Sequence, residues 1–185
     1  MPSEIDISSN SLTKLGAKPI TSFDDLTDRS NLCRDYYPRV RDAVLRAYPW
    51  NCAITRMALA LDATAPVFGY AYRFQLPVLP YCLRVLEVED DPEYKIEGRY
   101  LVTDESSVNI KFISRITDPG LFDALLVEAI ECRLAAELAY PITGSPTLIQ
   151  TNWTLYEAKL REARTIDAME ITQDYYESNA LTEVR

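Results

Sequence analysis

Catalysis on a protein chain most often begins with a histidine, and this sequence of 185 residues has none. That removes the commonest general base, the Ser–His and Cys–His nucleophile pairs and the imidazole ligands of zinc and iron. Carboxylate chemistry remains, since glycoside hydrolysis needs only two acids held at a set separation. Asp24 with Asp25, Asp90 with Asp91 and Glu128 with Glu131 are the pairs available for it. Each pair also has a plainer use, as a cap, a turn or a solvated helix face. The four cysteines, Cys33, Cys52, Cys82 and Cys132, are widely spaced without a C-x-x-C pair. They read as small buried apolar residues, and neither a disulfide frame nor a zinc site is expected. None of the five glycines belongs to a G-x-G-x-x-G or a phosphate loop, and Asp90-Asp91 lacks the spacing of a calcium loop. The sequence therefore implies no enzyme, no cofactor and no metal.

Charge narrows the partners. A formal net charge of -9 repels phosphate backbones and anionic lipid, so DNA recognition is not expected. A negative wall does let a polyanion slide past without sticking. Arg34, Arg39, Arg41 and Arg46 share one helical stretch with Asp35 and Asp42 between them, a pattern for ion pairs within the helix or between subunits. The 12 tyrosines form an unusually large share, and tyrosine suits protein contacts because its ring is apolar and its tip polar. Tyr70 and Tyr72 on one strand face, and Tyr175 and Tyr176 near the C-terminus, are natural contact residues. No signal peptide and no membrane span is visible, which places the chain in a cytosol.

The elements that must hold these residues follow from spacing. Ser3 can cap a short helix that closes at Gly16, and residues 17–23 form an extended connector. A second helix, capped by Thr27 or Asp28, carries an apolar stripe from Leu32 to Tyr48; Pro38 predicts a kink or two abutting helices, and Pro49 ends it. Alternation at 70–76, 83–89, 94–97 and 108–113 predicts an antiparallel meander, with residues 51–61 read as a further strand. Asp118-Pro119 should open a helix that Pro141 stops, and a last helix follows Ser145-Pro146 to about residue 170. The fold expected is α+β: a single domain over 1–170, with a helical body from 3–49 and 118–170 and an inserted antiparallel sheet over 50–117. Residues 171–185 are too poor in apolar residues for a core face and are expected to be an arm ordered against a partner.

Several ordered words resemble the tail tubular protein A-like head-to-tail adaptors of short-tailed bacteriophages. They are Leu15-Gly16-Ala17-Lys18-Pro19-Ile20, Phe23-Asp24-Asp25, Tyr37-Pro38 with Val40 to Arg46, and Pro49-Trp50-Asn51. Further on come Phe68-Gly69-Tyr70-Ala71-Tyr72, Leu83-Arg84-Val85, Glu97-Gly98-Arg99, Thr117-Asp118-Pro119 and Leu134 to Ala139. Leu79 departs from the pattern, standing where a polar turn residue is expected. The resemblance implies a structural virion protein of the tail, assembled in the host bacterial cytoplasm. It would form a homo-oligomeric ring, a dodecamer, between the portal protein and the tail nozzle protein, with double-stranded DNA passing through the lumen without sequence recognition. On that footing Arg39, Arg41 and Arg46 would meet a neighbouring subunit, Tyr70 and Tyr72 would face the nozzle, and Trp50 would anchor the step from helices to sheet. The arm, with Tyr175, Tyr176, Leu181 and Val184, would face the portal. The rival from another class is a tail-associated cell-wall hydrolase working through paired carboxylates.

Overall fold

The computed structural model describes residues 2–170. Its first helix, α1 (Glu4–Lys14), starts where the sequence places it. The Ser3 hydroxyl accepts from the Asp6 amide while the Asp6 carboxylate accepts from the Ser3 amide, a complete capping box. At its other end the Ala17 amide donates to Leu12 O and the Gly16 amide to Thr13 O, which is the Schellman pattern. Gly16 takes φ +72°, the left-handed conformation that this ending requires.

α2 (Asp28–Ala47) is capped by Thr27, whose hydroxyl accepts from the Ser30 amide. It runs unbroken through Pro38, so the expectation of two abutting helices does not hold. Proline here removes one bond to the Arg34 carbonyl, and both residues lie on the exposed side, where water can replace it. A single 3-10 turn (Asn51–Ala53) then leads into β1 (Ile54–Ala58). The rest of the middle region comprises β2 (Tyr72–Gln75), β3 (Cys82–Val88), β4 (Tyr94–Glu97), β5 (Tyr100–Thr103) and β6 (Asn109–Ser114).

These strands form two antiparallel three-stranded sheets, β1-β6-β3 and β2-β5-β4, in place of the single meander expected. The difference comes from β5, which the sequence reading did not assign. It pairs with β2 and β4 at once, through Phe74 opposite Leu101 and Ile96 opposite Leu101. Phe74, Leu76 and Leu101 then pack with Val88, Ile110 and Phe112 in a core shared by strands of both sheets. β6 serves two cores because strand side chains alternate: Ile110 and Phe112 join this one, and Ile113 joins the helices.

Asp118-Pro119 opens only a 3-10 turn (Pro119–Leu121); the helix α3 (Ala124–Thr143) begins later, capped by Asp123. Pro141 does not stop it. The amide it lacks would have reached Glu137, a half-buried residue, and the helix ends three residues on at Gly144, which takes φ +65°. Ser145 caps α4 (Pro146–Met169), with Pro146 in the first turn. α3 is the central helix, packed by α1, α2 and α4, and its Ala129, Ala135, Ala136 and Ala139 are fully buried or nearly so. Small side chains there let the helix axes approach closely. The chain is thus α+β, with its helices at the two ends of the sequence and its strands between them.

Candidate functional site

The three arginines predicted to reach a neighbouring subunit take three different positions. Arg41 is a correction: it is only 6% exposed and its charge is spent within the chain. Its guanidinium lies 3.6 Å from Glu4 of α1 and 2.9 Å from Asp42, and its Cζ sits 5.9 Å from the Tyr37 ring centre. Asp42 in turn pairs at 2.7 Å with Arg115, just after β6. Arg46 is exposed along its stem, yet donates to the Leu83 carbonyl of β3. Arg39 alone of the three lies exposed with neither an ion pair nor a side-chain hydrogen bond among the described residues; it lines a shallow cavity between α2 and α3 with Arg133 and Glu137.

Tyr70 and Tyr72 do not share a strand face as expected, because β2 starts at Tyr72. Tyr70 sits in the loop before it, its hydroxyl donating to Glu93 and Lys95 lying over its ring. Tyr72 packs against the core between the sheets. Tyr175, Tyr176, Leu181 and Val184 lie outside the described residues.

Trp50 is buried at the junction of helices and sheet. Its Nε1 donates to Val44 O, and its ring meets Tyr48 edge to face at 4.9 Å. The adjacent Asn51 fastens the end of α4 to this point: its amide donates to Asp167 Oδ1 and its Nδ2 to Asp167 O. Burial, the largest cause, pushes the Asp167 carboxyl above the ordinary carboxylate value against the opposing bond from Asn51. Its Oδ2 is buried without a hydrogen-bond partner among the described residues.

Two of the three carboxylate pairs make side-chain contacts that can be traced. Asp25 accepts from the amides of Thr21 and Ser22, and these bonds hold its carboxyl below the usual range, opposite to what a general acid requires. Asp90 and Asp91 both take positive φ in the turn after β3. Glu128 and Glu131 reach away from each other, Glu128 to Lys159 of α4 and Glu131 to Lys14 and Asn10 of α1. Among the described residues no group of three or more acidic or thiol side chains is placed to hold a metal ion. Cys33, Cys82 and Cys132 are buried as expected, but Cys52 is exposed. Burial raises the Cys33 thiol to about 11.

The surface carries what the interior does not explain. In the loop before β2, Val67 is 98% exposed and Phe68 89%; in the loop after it, Leu79 is 90% exposed and Val78 follows at just over half. Leu61 and Ile96 add exposed apolar surface to the same sheet region. A second feature escaped the sequence reading: Arg84, Arg99 and Arg115 converge with Arg46 on one cavity. They come from α2, β3, the turn between β4 and β5 and the residue after β6, so no spacing pattern announces them. No described helix is long and apolar enough to cross a membrane. No family model matches the chain, and no curated protein matches it either.

Proposed function

We propose that the chain is a structural virion protein, a head-to-tail adaptor subunit that assembles as a ring of twelve between the portal and the tail nozzle of a short-tailed bacteriophage. Double-stranded DNA passes through the lumen and meets an acidic wall that does not hold it. The observation that carries this reading is the exposed apolar pairs on either side of β2, Val67-Phe68 and Val78-Leu79. A side chain of this size gains about 1.5–3 kcal/mol when a partner covers it, so a chain left alone would be poorly served by four of them.

The words that carry the family resemblance also occupy structural joints, which supports reading them as more than chance. Leu15-Gly16-Ala17 is the Schellman end of α1, Pro49-Trp50-Asn51 the entry to the sheet region, and Thr117-Asp118-Pro119 the exit from it. In the assembly the helices make the ring body with Arg39 and Arg46 toward its subunit contacts. The loops around β2 face the nozzle, and residues 171–185 face the portal. Negative-stain electron microscopy of the purified chain mixed with its portal is the test. Rings are expected, and mixtures that stay ring-free across concentrations overturn the reading.

A further inference from the structure

Four guanidinium groups line a cavity of about 520 Å3 where the end of α2 meets β3 and the β4–β5 hairpin: Arg46, Arg84, Arg99 and Arg115, with Tyr81 and Ile96. No carboxylate is among the lining residues, in a chain whose net charge is -9. Backbone carbonyls fix these cations without neutralising them. Arg99 donates to Cys82 O at 2.8 Å and Pro77 O at 2.6 Å, and Arg46 donates to Leu83 O. Tyr81 carries both Arg99 and Arg115 on its ring, at 4.1 and 4.2 Å from the centroid. Among the described residues only Arg115 of the four meets an acid, Asp42, which it shares with Arg41, and its Nε is buried without a partner there. Arg84 makes no ion pair among the described residues. Like charges gathered this way raise the energy of the empty site, and a bound anion lowers it through charge-assisted hydrogen bonds.

We infer that this pocket binds an acidic peptide segment, and that the segment is the chain's own residues 171–185. A duplex is too wide for the cavity, and the net charge repels it at long range. A peptide bearing carboxylates and rings matches both the arginines and the apolar wall offered by Leu76 and Ile96. Residues 171–185 supply such groups in Asp174-Tyr175-Tyr176-Glu177 and Glu183. Asn51 grips Asp167 at the end of α4, and Arg46 on the pocket rim lies only one turn and a junction earlier in the chain. At roughly 3.3 Å per extended residue, a chain from Met169 can reach at most about 17–26 Å by Asp174 to Glu177.

The use of the pocket rests on the adaptor reading: it holds the portal-facing segment until a portal takes it. The binding itself is tested without a portal, by hydrogen exchange over residues 171–185 in the isolated full chain. The wild type should exchange there about tenfold more slowly than Arg84→Glu, the change expected for losing one charge-assisted contact. The double substitution Asp174→Asn with Glu177→Gln should do the same while leaving the folded body untouched, so the result does not hang on how Arg84→Glu folds. Equal exchange in all three proteins overturns the inference. Slowing that grows with protein concentration overturns it too, because a second copy would then be the source. Slowed exchange with no ring on the portal would instead leave the pocket standing and remove the adaptor reading.

Discussion

The helical body and the sheet region bury their apolar residues in different ways. α3 is enclosed by three other helices, so Leu126, Ile130, Leu134 and Leu138 have no contact with water, and the same core takes in Trp50, Ile113 and Tyr156. The core between the sheets is smaller, built on Phe74, Leu101, Ile110 and Phe112, while Val67, Phe68, Leu79 and Ile96 of the same region stay outside it. A four-residue strand offers only two side chains to each face of a sheet, whereas α3, packed by three helices, buries ten of its 20 residues. The sheet region leaves Val67, Phe68, Val78 and Leu79 exposed around one short strand, while the exposed apolar residues outside it, among them Leu26, Leu121 and Met169, are scattered along the chain.

Substitutions can break that contrast, beginning with the largest effect. Trp50→Ala empties the shared joint and removes its bond to Val44 O, and should cost about 3–5 kcal/mol in urea denaturation. Phe74→Ala should cost about 3 kcal/mol and act locally. Hydrogen exchange in β2, β4 and β5 should quicken while α3 amides stay protected; equal loss in both regions would mean that they unfold as one unit. Arg41→Ala breaks the link from α1 to α2 and should cost about 2 kcal/mol, with Asp42 still satisfied by Arg115.

A smaller effect should follow the pH. The Asp167 carboxyl is raised in the folded state, so the native chain holds its proton more tightly than the unfolded one. Its contribution is most favourable below the ordinary carboxylate value and declines as pH rises through the raised folded value. Asp167→Asn keeps the acceptor for the Asn51 amide and removes that decline, so thermal melts from pH 3 to 7 should show the variant gaining on the wild type toward neutrality. The smallest change in stability should come from Val67→Ser with Phe68→Ser, within about 0.5 kcal/mol, because both side chains already face water. Nozzle binding by the same variant, followed by sedimentation, should nevertheless weaken; unaltered binding would place the partner surface elsewhere.

Local rules reached far into this fold. Ser3, Thr27 and Ser145 cap the helices assigned to them, because a cap needs only its own first turn to form. Proline misled at Pro141, which lies inside α3, while Pro38 lies inside α2 and leaves only the first of its two readings; the carbonyls these prolines leave free belong to residues that are not fully buried. β5 was missed because Leu101-Val102-Thr103 has no alternation to read; all three are buried, paired on both edges. Among the site residues, the exposure of Arg39 was legible from its helical position. The burial of Arg41 was not, because Glu4 comes from another helix.

Absence of histidine, the charge of -9, the starts of α1, α2 and α4 and the α+β class were settled by the sequence alone, because each depends on composition or on neighbours within a turn or two. Tertiary structure alone decided that the strands divide into two sheets, that Glu128 and Glu131 face different helices, and that four scattered arginines share one cavity. Those outcomes rest on contacts between residues far apart in the chain, which only packing can bring together.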